Sequence, residues 1–335
     1  MSKVCIVVLN WNGWRDTIEC LESIFQSDYA NFQIVVCDNN SSDQSMEYLR
    51  NWAEGKLDST PADKNFLRSS SSPIPKPLNS LIYNRDEAEA GGDSRADNAQ
   101  LVIIQTGDNL GYAGGNNVGL RYVLARPEFE YVWILNNDLV VAVDALSEML
   151  KVSADDFYER PIGSYHYNYF SPDTLEMVGG LYVTKFLAIR PDFEKDINKV
   201  DYLSGASLLL TRKRLESLGL ILEEYFLNAE DLEYTYFYKV EFQKQNPDVS
   251  PFLVAGSIWH KVSATQGKSS FLHSYYYTRN ILYSSCKIGN LQFSFTFLNA
   301  VLRLIYALLL GKISLARGIA VGTLAFLKRD YGIYR

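Results

Sequence analysis

Four short apolar runs, each giving way to a segment rich in asparagine and aspartate, constrain the fold of this chain more than any other feature. Residues 3–9 (KVCIVVL) lead into Asn10-Trp11-Asn12-Gly13, and residues 33–37 into Asp38-Asn39-Asn40-Ser41-Ser42-Asp43. Residues 101–105 precede a glycine-rich stretch from Asp108 to Asn117, and residues 131–135 run straight into Asn136-Asn137-Asp138. Continuous apolar runs of this kind suit parallel strands buried on both faces. Between them Ile18, Leu21, Ile24 and Phe25, then Met46, Leu49 and Trp52, recur at helical spacing. The second helix stops near Gly55, and the helix after the glycine-rich stretch ends before Pro127. Strand–helix alternation predicts an α/β fold with a mostly parallel central sheet flanked by helices. Every polar segment then falls at the carboxyl end of a strand, where open α/β sheets place their ligand crevice.

Asp138 is the sharpest candidate in that crevice. A carboxylate there is a hard oxygen donor of the sort Mg²⁺ or Mn²⁺ takes alongside substrate phosphates. The competing expectation is a turn, the commonest use of Asn and Asp after a strand.

With 335 residues the chain can bury a large core. Its formal net charge of −7 excludes a nonspecific nucleic-acid binder. Cys5, Cys20, Cys37 and Cys286 show no zinc or disulfide spacing, which points to reduced structural thiols. The first residues enter a strand without a signal-peptide pattern, so a cytoplasmic enzyme is expected. Residues 56–98 are rich in serine, proline and scattered charge, and this composition reads as an inserted mobile loop. The tail from Phe293 to Leu310 is strongly apolar but contains Arg303, with Lys312, Arg317, Lys328 and Arg329 following. Amphipathic helices on the cytoplasmic face of a membrane, or a homodimer contact, account for it better than a membrane span.

The motifs V-V-L-N-W-N-G, V-V-C-D-N-N-S-S-D, D-N-L-G-Y-A-G-G-N-N-V-G and I-L-N-N-D resemble, in that order, inverting glycosyltransferases of family 2, of the GT-A fold. The rhamnosyltransferase-like subgroup of surface-polysaccharide synthesis is the most similar. Tyr202-Leu203-Ser204-Gly205-Ala206-Ser207, Glu224-Tyr225-Phe226 with Ala229-Glu230-Asp231, Trp259-His260-Lys261 and Tyr277-Thr278-Arg279-Asn280 extend the resemblance over nearly the whole chain except 56–98. It implies a catalytic domain over 1–265 and a helical C-terminal region over 266–335. The implied donor is a nucleoside diphosphate sugar, rhamnose being the sugar the subgroup suggests, and the implied acceptor is a hydroxyl of a cell-surface polysaccharide or lipid-linked glycan.

The same resemblance distributes the site residues. Asp38 would meet the nucleoside, with Leu9, Asn10 and Trp11 lining the base pocket. Gly111 and Gly114 would let the backbone approach the donor at a helix N-terminus, which attracts phosphate, with Asn109 and Asn117 organising the turn. Asp138 would hold a divalent metal, Mg²⁺ or Mn²⁺, with His260 completing the shell and Asn137 adding a neutral oxygen. Many relatives carry two acids where this chain has Asn136 and Asn137. Asp231 would be the general base, Glu230 its competitor, and Arg279 a phosphate or acceptor-anion contact. Phe237 stands where the family often carries an arginine. Two other readings remain: a sugar-nucleotide pyrophosphorylase, whose basic glycine-rich signature is missing near Asn10–Gly13, and a catalytically degenerate nucleotide- or glycan-binding scaffold of an assembly complex.

Overall fold

Alternate residues of the first strand bury themselves in two different cores. Val4, Ile6 and Val8 belong to an apolar cluster with Ile18, Leu21, Ile24, Leu49 and Trp52 on one face of the sheet. Cys5 and Val7 belong to a second, with Val35, Cys37, Val118 and Val123, on the other. A strand buried on both faces reads as a continuous apolar run, which is why these strands were visible in the sequence.

The structure is a computed structural model describing residues 1–57, 73–183, 189–190, 196–261 and 271–334. The first half runs β1 (Lys3–Asn10), α1 (Trp14–Ile24), β2 (Phe32–Asp38), α2 (Ser45–Ala53), β3 (Ser80–Asn84), α3 (Arg85–Glu89), β4 (Leu101–Gln105), α4 (Gly111–Ala125), β5 (Phe129–Asn136), β6 (Leu139–Val141) and α5 (Ala145–Ala154). The second half runs β7 (Ile162–Asn168), β8 (Leu175–Val178), β9 (Gly180–Val183), β10 (Ile189–Arg190), β11 (Tyr202–Leu203), β12 (Ser207–Thr211), α6 (Arg212–Leu218), α7 (Glu230–Gln245), β13 (Leu253–His260), α8 (Phe271–Ile288), α9 (Asn290–Leu309) and α10 (Ile313–Lys328).

The main sheet has the order β3-β4-β2-β1-β5-β12-β7-β13-β6, with β8 paired to β7. Its first five strands are parallel. From β5 onward it is mixed: β12 is antiparallel to both β5 and β7, β13 is parallel to β7, and β6 is antiparallel to β13. A small sheet, β10-β9-β11, lies beside it.

The reading of 56–98 as a loop without packed structure needs correction over its described part; residues 58–72 lie outside the described residues. β3 pairs in parallel with β4 at the sheet edge. Tyr83, Ala88 and Ala96 join one core, and Ile74 and Leu78 the other. Buried Glu22 fastens the segment by accepting from Ile74 N (2.7 Å) and Lys76 Nζ (2.7 Å). An edge strand needs only one hydrogen-bonded neighbour, so Leu81-Ile82-Tyr83 suffice to form it within an otherwise polar composition. Asn84 and Glu87 make a reciprocal capping box that starts α3.

Candidate active site

The strand order reverses at β1. The chain leaves it toward β2 on one side and returns through β5 on the other, so the carboxyl ends of β1 and β5 border a topological switch point, where ligands bind in open α/β sheets. A cleft of about 510 Å³ opens there, within the range of small-molecule sites. Of the residues singled out in the sequence, Leu9, Trp11, Asn109, Gly111, Asn137, Asp138 and His260 line it.

Behind the wall runs a chain of buried polar side chains. Asp38, 1% exposed, accepts from Asn10 Nδ2 (2.7 Å) and from Ser41 N (3.1 Å). Asn10 Oδ1 accepts from Thr17 Oγ1 (2.7 Å), and Asn137 Nδ2 donates to Thr17 Oγ1 (2.9 Å). The ends of β2, β1, α1 and β5 are thereby locked into one arrangement. Asp38 and Asn10 thus build the site from behind rather than facing the cleft. Asn39, one residue on and on the opposite side of the chain, reaches it instead. Its Nδ2 donates to Asn109 Oδ1 (3.0 Å) and Gly111 O (3.0 Å), while its Oδ1 accepts from Leu110 N (2.9 Å). Asn117 and Gly114 also lie behind the wall. Asn117 bonds both ways with the Ile221 backbone (2.8 and 3.0 Å), and a Cβ on Gly114 would stand 2.7 Å from that of Leu110.

Asp138 and His260 meet because β6 pairs antiparallel with β13, setting Leu139 opposite His260. His260 Nε2 lies 3.3 Å from Asp138 Oδ1. That oxygen is buried with no aligned hydrogen-bond donor. Burial alone would raise the Asp138 pKa, but the contact and charge of His260, with Lys261 beyond, hold it below its ordinary value. A buried, ionised oxygen without a donor, an imidazole beside it and the amide oxygen of Asn137 form a donor set suited to one divalent cation. Adjacent ligands of an octahedral ion sit about 3 Å apart, close to the spacing seen. Among the described residues no group of three or more His, Cys, Asp or Glu converges, so most of the shell would be water and substrate oxygen.

A second acidic corner stands at the N-terminus of α7. Glu230 is buried, and its Oε2 has no hydrogen-bond partner among the described residues. Part-buried Asp231 accepts from Gly205 N (3.3 Å) and Leu232 N (2.8 Å). Burial, and then the Asp231 charge, push Glu230 up to about 8. Burial also raises Asp231, while its backbone N–H donors oppose the shift. Neither carboxylate lines the cleft itself. They border Tyr112, which does, and whose hydroxyl donates to Gly205 O (2.6 Å). Burial, and the charges of Glu230, Asp231 and Asp138, keep the Tyr112 hydroxyl protonated. Tyr112 lies inside the glycine-rich motif, and a tyrosine between glycines at a helix start is its only signal in the sequence.

The loop ahead of the acids is strained and pinned. Phe226, Asn228 and Ala229 all have positive φ (58°, 67° and 66°), conformations that persist only when neighbours enforce them. Asn280 Nδ2 provides that restraint, donating to the carbonyls of Tyr225, Leu227 and Asn228 at 2.8 Å each. Tyr112 N donates to Phe226 O (2.7 Å) at Gly111, where φ is +71° and a Cβ would stand 2.2 Å from that oxygen. Arg279 is not brought to the cleft. It is fully buried, and its guanidinium donates to the carbonyls of Glu224 (3.2 Å), Tyr225 (3.1 Å) and Gly332 (2.8 Å). It ties the acidic loop to the tail, whose Ile333 and Tyr334 form part of the cleft wall with Leu272 and Tyr276.

Comparison with solved structures decides the architecture. The mannosyltransferase PcManGT from Pyrobaculum calidifontis, in complex with GDP-Man and Mn²⁺, superposes over 98% of this chain and 88% of its own, with a TM-score of 0.55 at 13% identity. GalNAc-T7 with UDP, GalNAc and Mn²⁺ covers 84% of this chain and 48% of its own, with a TM-score of 0.52 at 12% identity. The fold is GT-A.

Sequence comparison agrees with the GT-A assignment. Residues 5–66 match the family model described as Glycosyl transferase family 2. The low-salt glycan biosynthesis hexosyltransferase Agl10 of Haloferax volcanii is 26% identical over 184 residues, or 51% of this chain and 56% of the relative. The chain thus spans about half the length of this curated relative. In this GT-A chain the matched region 5–66 carries β1, β2 and the buried Asp38–Asn10 network, whereas the two acid corners lie beyond it.

Proposed function

We propose that this chain is an inverting, metal-dependent hexosyltransferase that moves a sugar from a nucleoside diphosphate donor to a hydroxyl of a cell-surface polysaccharide or lipid-linked glycan. One observation carries the reading: the cleft at the switch point is lined by an ionised carboxylate beside a histidine, and by Tyr112, behind which stands a second carboxylate pair raised in pKa by burial. The GDP-Man and Mn²⁺ held by the Pyrobaculum enzyme, and the UDP and Mn²⁺ held by GalNAc-T7, support a nucleotide donor with a divalent cation. Agl10, described as a hexosyltransferase, supports a hexose, and the motif resemblance favours rhamnose within that class. The four cysteines are free, in keeping with a cytoplasmic setting.

Each residue has a share in the chemistry. Asp138 and His260 would hold the cation, which when bound offsets charge on the departing diphosphate. Gly111, which lines the cleft, lets the backbone at the start of α4 approach the donor, the N–H groups of Leu110, Gly111 and Tyr112 being engaged by Asn39 Oδ1, Asn109 Oδ1 and Phe226 O. Asp231, favoured as the ionised member of its pair by two N–H donors, takes the acceptor hydroxyl proton while the acceptor oxygen bonds to the anomeric carbon. The bond from that carbon to the diphosphate oxygen breaks on the opposite side, and its electron pair leaves with the diphosphate. Glu230 keeps its own proton at neutral pH, so that Asp231 carries the charge.

The test is donor hydrolysis and transfer with a panel of UDP-, dTDP- and GDP-sugars, in Mn²⁺, Mg²⁺ or EDTA, for the wild type, Asp231→Asn and Asp138→Ala. Metal-dependent release of one nucleoside diphosphate, lost in both variants, is expected. Tight donor binding without turnover in the wild type, even with membrane lipid extract as acceptor, would leave a binding scaffold as the better description.

A further inference from the structure

The C-terminal helical hairpin leaves a large apolar surface outward. On α9, Leu291, Leu298, Leu302, Ile305 and Leu309 are between 49% and 80% exposed. Their spacing of seven, four, three and four residues puts them on one helical face. Thr296, Ala300 and Ala307 on the other face are buried. On α10, Ile313, Leu324 and Leu327 are exposed while Ala316, Ile319 and Ala325 are buried. Exposed apolar residues aligned along one helix face mark a protein or membrane interaction site rather than ordinary solvent-facing surface.

The hairpin is nevertheless firmly built. Gly318 and Gly322 let α10 approach the α8 backbone closely: a Cβ at either would stand 2.6 Å or 2.5 Å from the carbonyls of Phe271 and Tyr275. An aromatic chain continues to the cleft. Phe293 packs on Phe326 (5.6 Å), Phe326 on Tyr283 (5.0 Å) and Tyr283 on Tyr331 (4.6 Å), next to the wall residues Ile333 and Tyr334.

Charge chooses the occupant. Residues 290–334 hold Arg303, Lys312, Arg317, Lys328 and Arg329 against the single acid Asp330, in a chain of net charge −7. A second copy docked symmetrically would set like cations against one another. An anionic bilayer would meet the exposed Lys312, Arg317, Lys328 and Arg329 favourably while taking up the leucines.

We infer that α9 and α10 form a docking surface for an anionic phospholipid bilayer, lying in its interface with the cleft held at the membrane surface. α9 has the length and composition to cross a membrane, but its inner face is anchored. Arg303 lies over the Tyr277 ring (4.9 Å), and Ala300 and Ala307 are packed within the hairpin. An in-plane orientation preserves these contacts.

Vesicle flotation of the full chain, without donor, tests this independently of the transfer reaction. Binding to vesicles of mixed phosphatidylcholine and phosphatidylglycerol is expected, with about tenfold weaker partitioning to phosphatidylcholine alone. Leu302→Glu with Leu309→Glu, both at exposed positions, should reduce partitioning by about tenfold or more while leaving circular dichroism and donor binding unchanged. Alkaline carbonate should release the wild type. Three results would overturn the inference: no binding to either vesicle, resistance to carbonate (a span), or a concentration-dependent dimer by light scattering that the double variant abolishes (a second copy).

Discussion

Of the two acid corners, one lines the cleft and the other stands behind its Tyr112 wall, and they differ in their neighbours rather than in residue type. Asp138 has an imidazole at 3.3 Å and Lys261 beyond, and its pKa lies below the ordinary value despite burial. Glu230 and Asp231 have no ion-pair partner among the described residues; burial and then the Asp231 charge raise Glu230, while burial raises Asp231 against the pull of its backbone N–H donors. One corner is kept charged and suits a cation. The other pairs a carboxyl that holds its proton, Glu230, with a carboxylate of raised basicity, Asp231, a combination suited to proton transfer. Environments that push like groups apart in pKa are how one site hosts an electrostatic role and an acid–base role together.

Variants at the two corners should therefore fail differently, and these are the largest effects expected. Asp231→Asn should lower kcat by about 10²–10⁴ with donor affinity nearly unchanged, because only proton transfer is lost. Asp138→Ala should lower kcat by a similar factor and also abolish the gain in donor affinity that Mn²⁺ confers. Isothermal titration of donor with and without metal separates the two. Equal loss of metal-dependent donor binding in both variants would show that the corners act as one.

The backbone that spaces the corners gives the next effect. Gly111→Ala puts a methyl at φ +71°, 2.2 Å from the Phe226 carbonyl oxygen. The loop carrying Phe226 to Ala229 must then shift, at a cost of about 2–4 kcal/mol, read as a fall in Tm. A variant of unchanged Tm would mean that the acidic loop yields freely and does not fix the distance between the corners.

The proton on Glu230 supplies a smaller effect. Its folded pKa of about 8 stands above its ordinary value, so the folded protein holds a proton that the unfolded chain releases. Stability should fall as pH rises from about 4.5 to about 8, by up to about 1.4 kcal/mol per pH unit, and level off above. Glu230→Gln removes this dependence. The Tm of the variant relative to wild type should accordingly be more favourable at pH 9 than at pH 5. Parallel curves for the two proteins would mean that Glu230 is already ionised in the folded state.

The sequence revealed the parallel half of the sheet because strands buried on both faces are written as unbroken apolar runs. Asp138 is singled out by its place at a strand end, and His260 and the glycine-rich loop by the motif resemblance; the structure brings Asp138, His260 and Gly111 to one cleft. Two kinds of feature were illegible. Edge strand β3 carries too few apolar residues to stand out from a polar stretch, being covered on fewer sides. Side-chain direction at a strand end hangs on a single residue of register: Asp38 turns inward to Asn10, and Asn39 outward to the cleft. The buried clamp of Arg279 on three carbonyls joins residues 224, 225 and 332, a juxtaposition that only tertiary packing creates.

Asp38 offers the smallest effect and the cleanest test of that register. Its carboxylate accepts from two donors, Asn10 Nδ2 and Ser41 N, and 1% of the residue is exposed. In Asp38→Asn one oxygen becomes an amide that cannot accept, so one donor is left facing another and stability should drop by about 1 kcal/mol. Affinity for the nucleoside diphosphate should change less than about threefold, since Asp38 is buried and is not among the side chains that line the cleft. A loss of about tenfold or more in titration, with Tm intact, would mean that Asp38 turns outward to meet the nucleoside when donor binds. The register seen here would then be only one of the two that this strand end adopts.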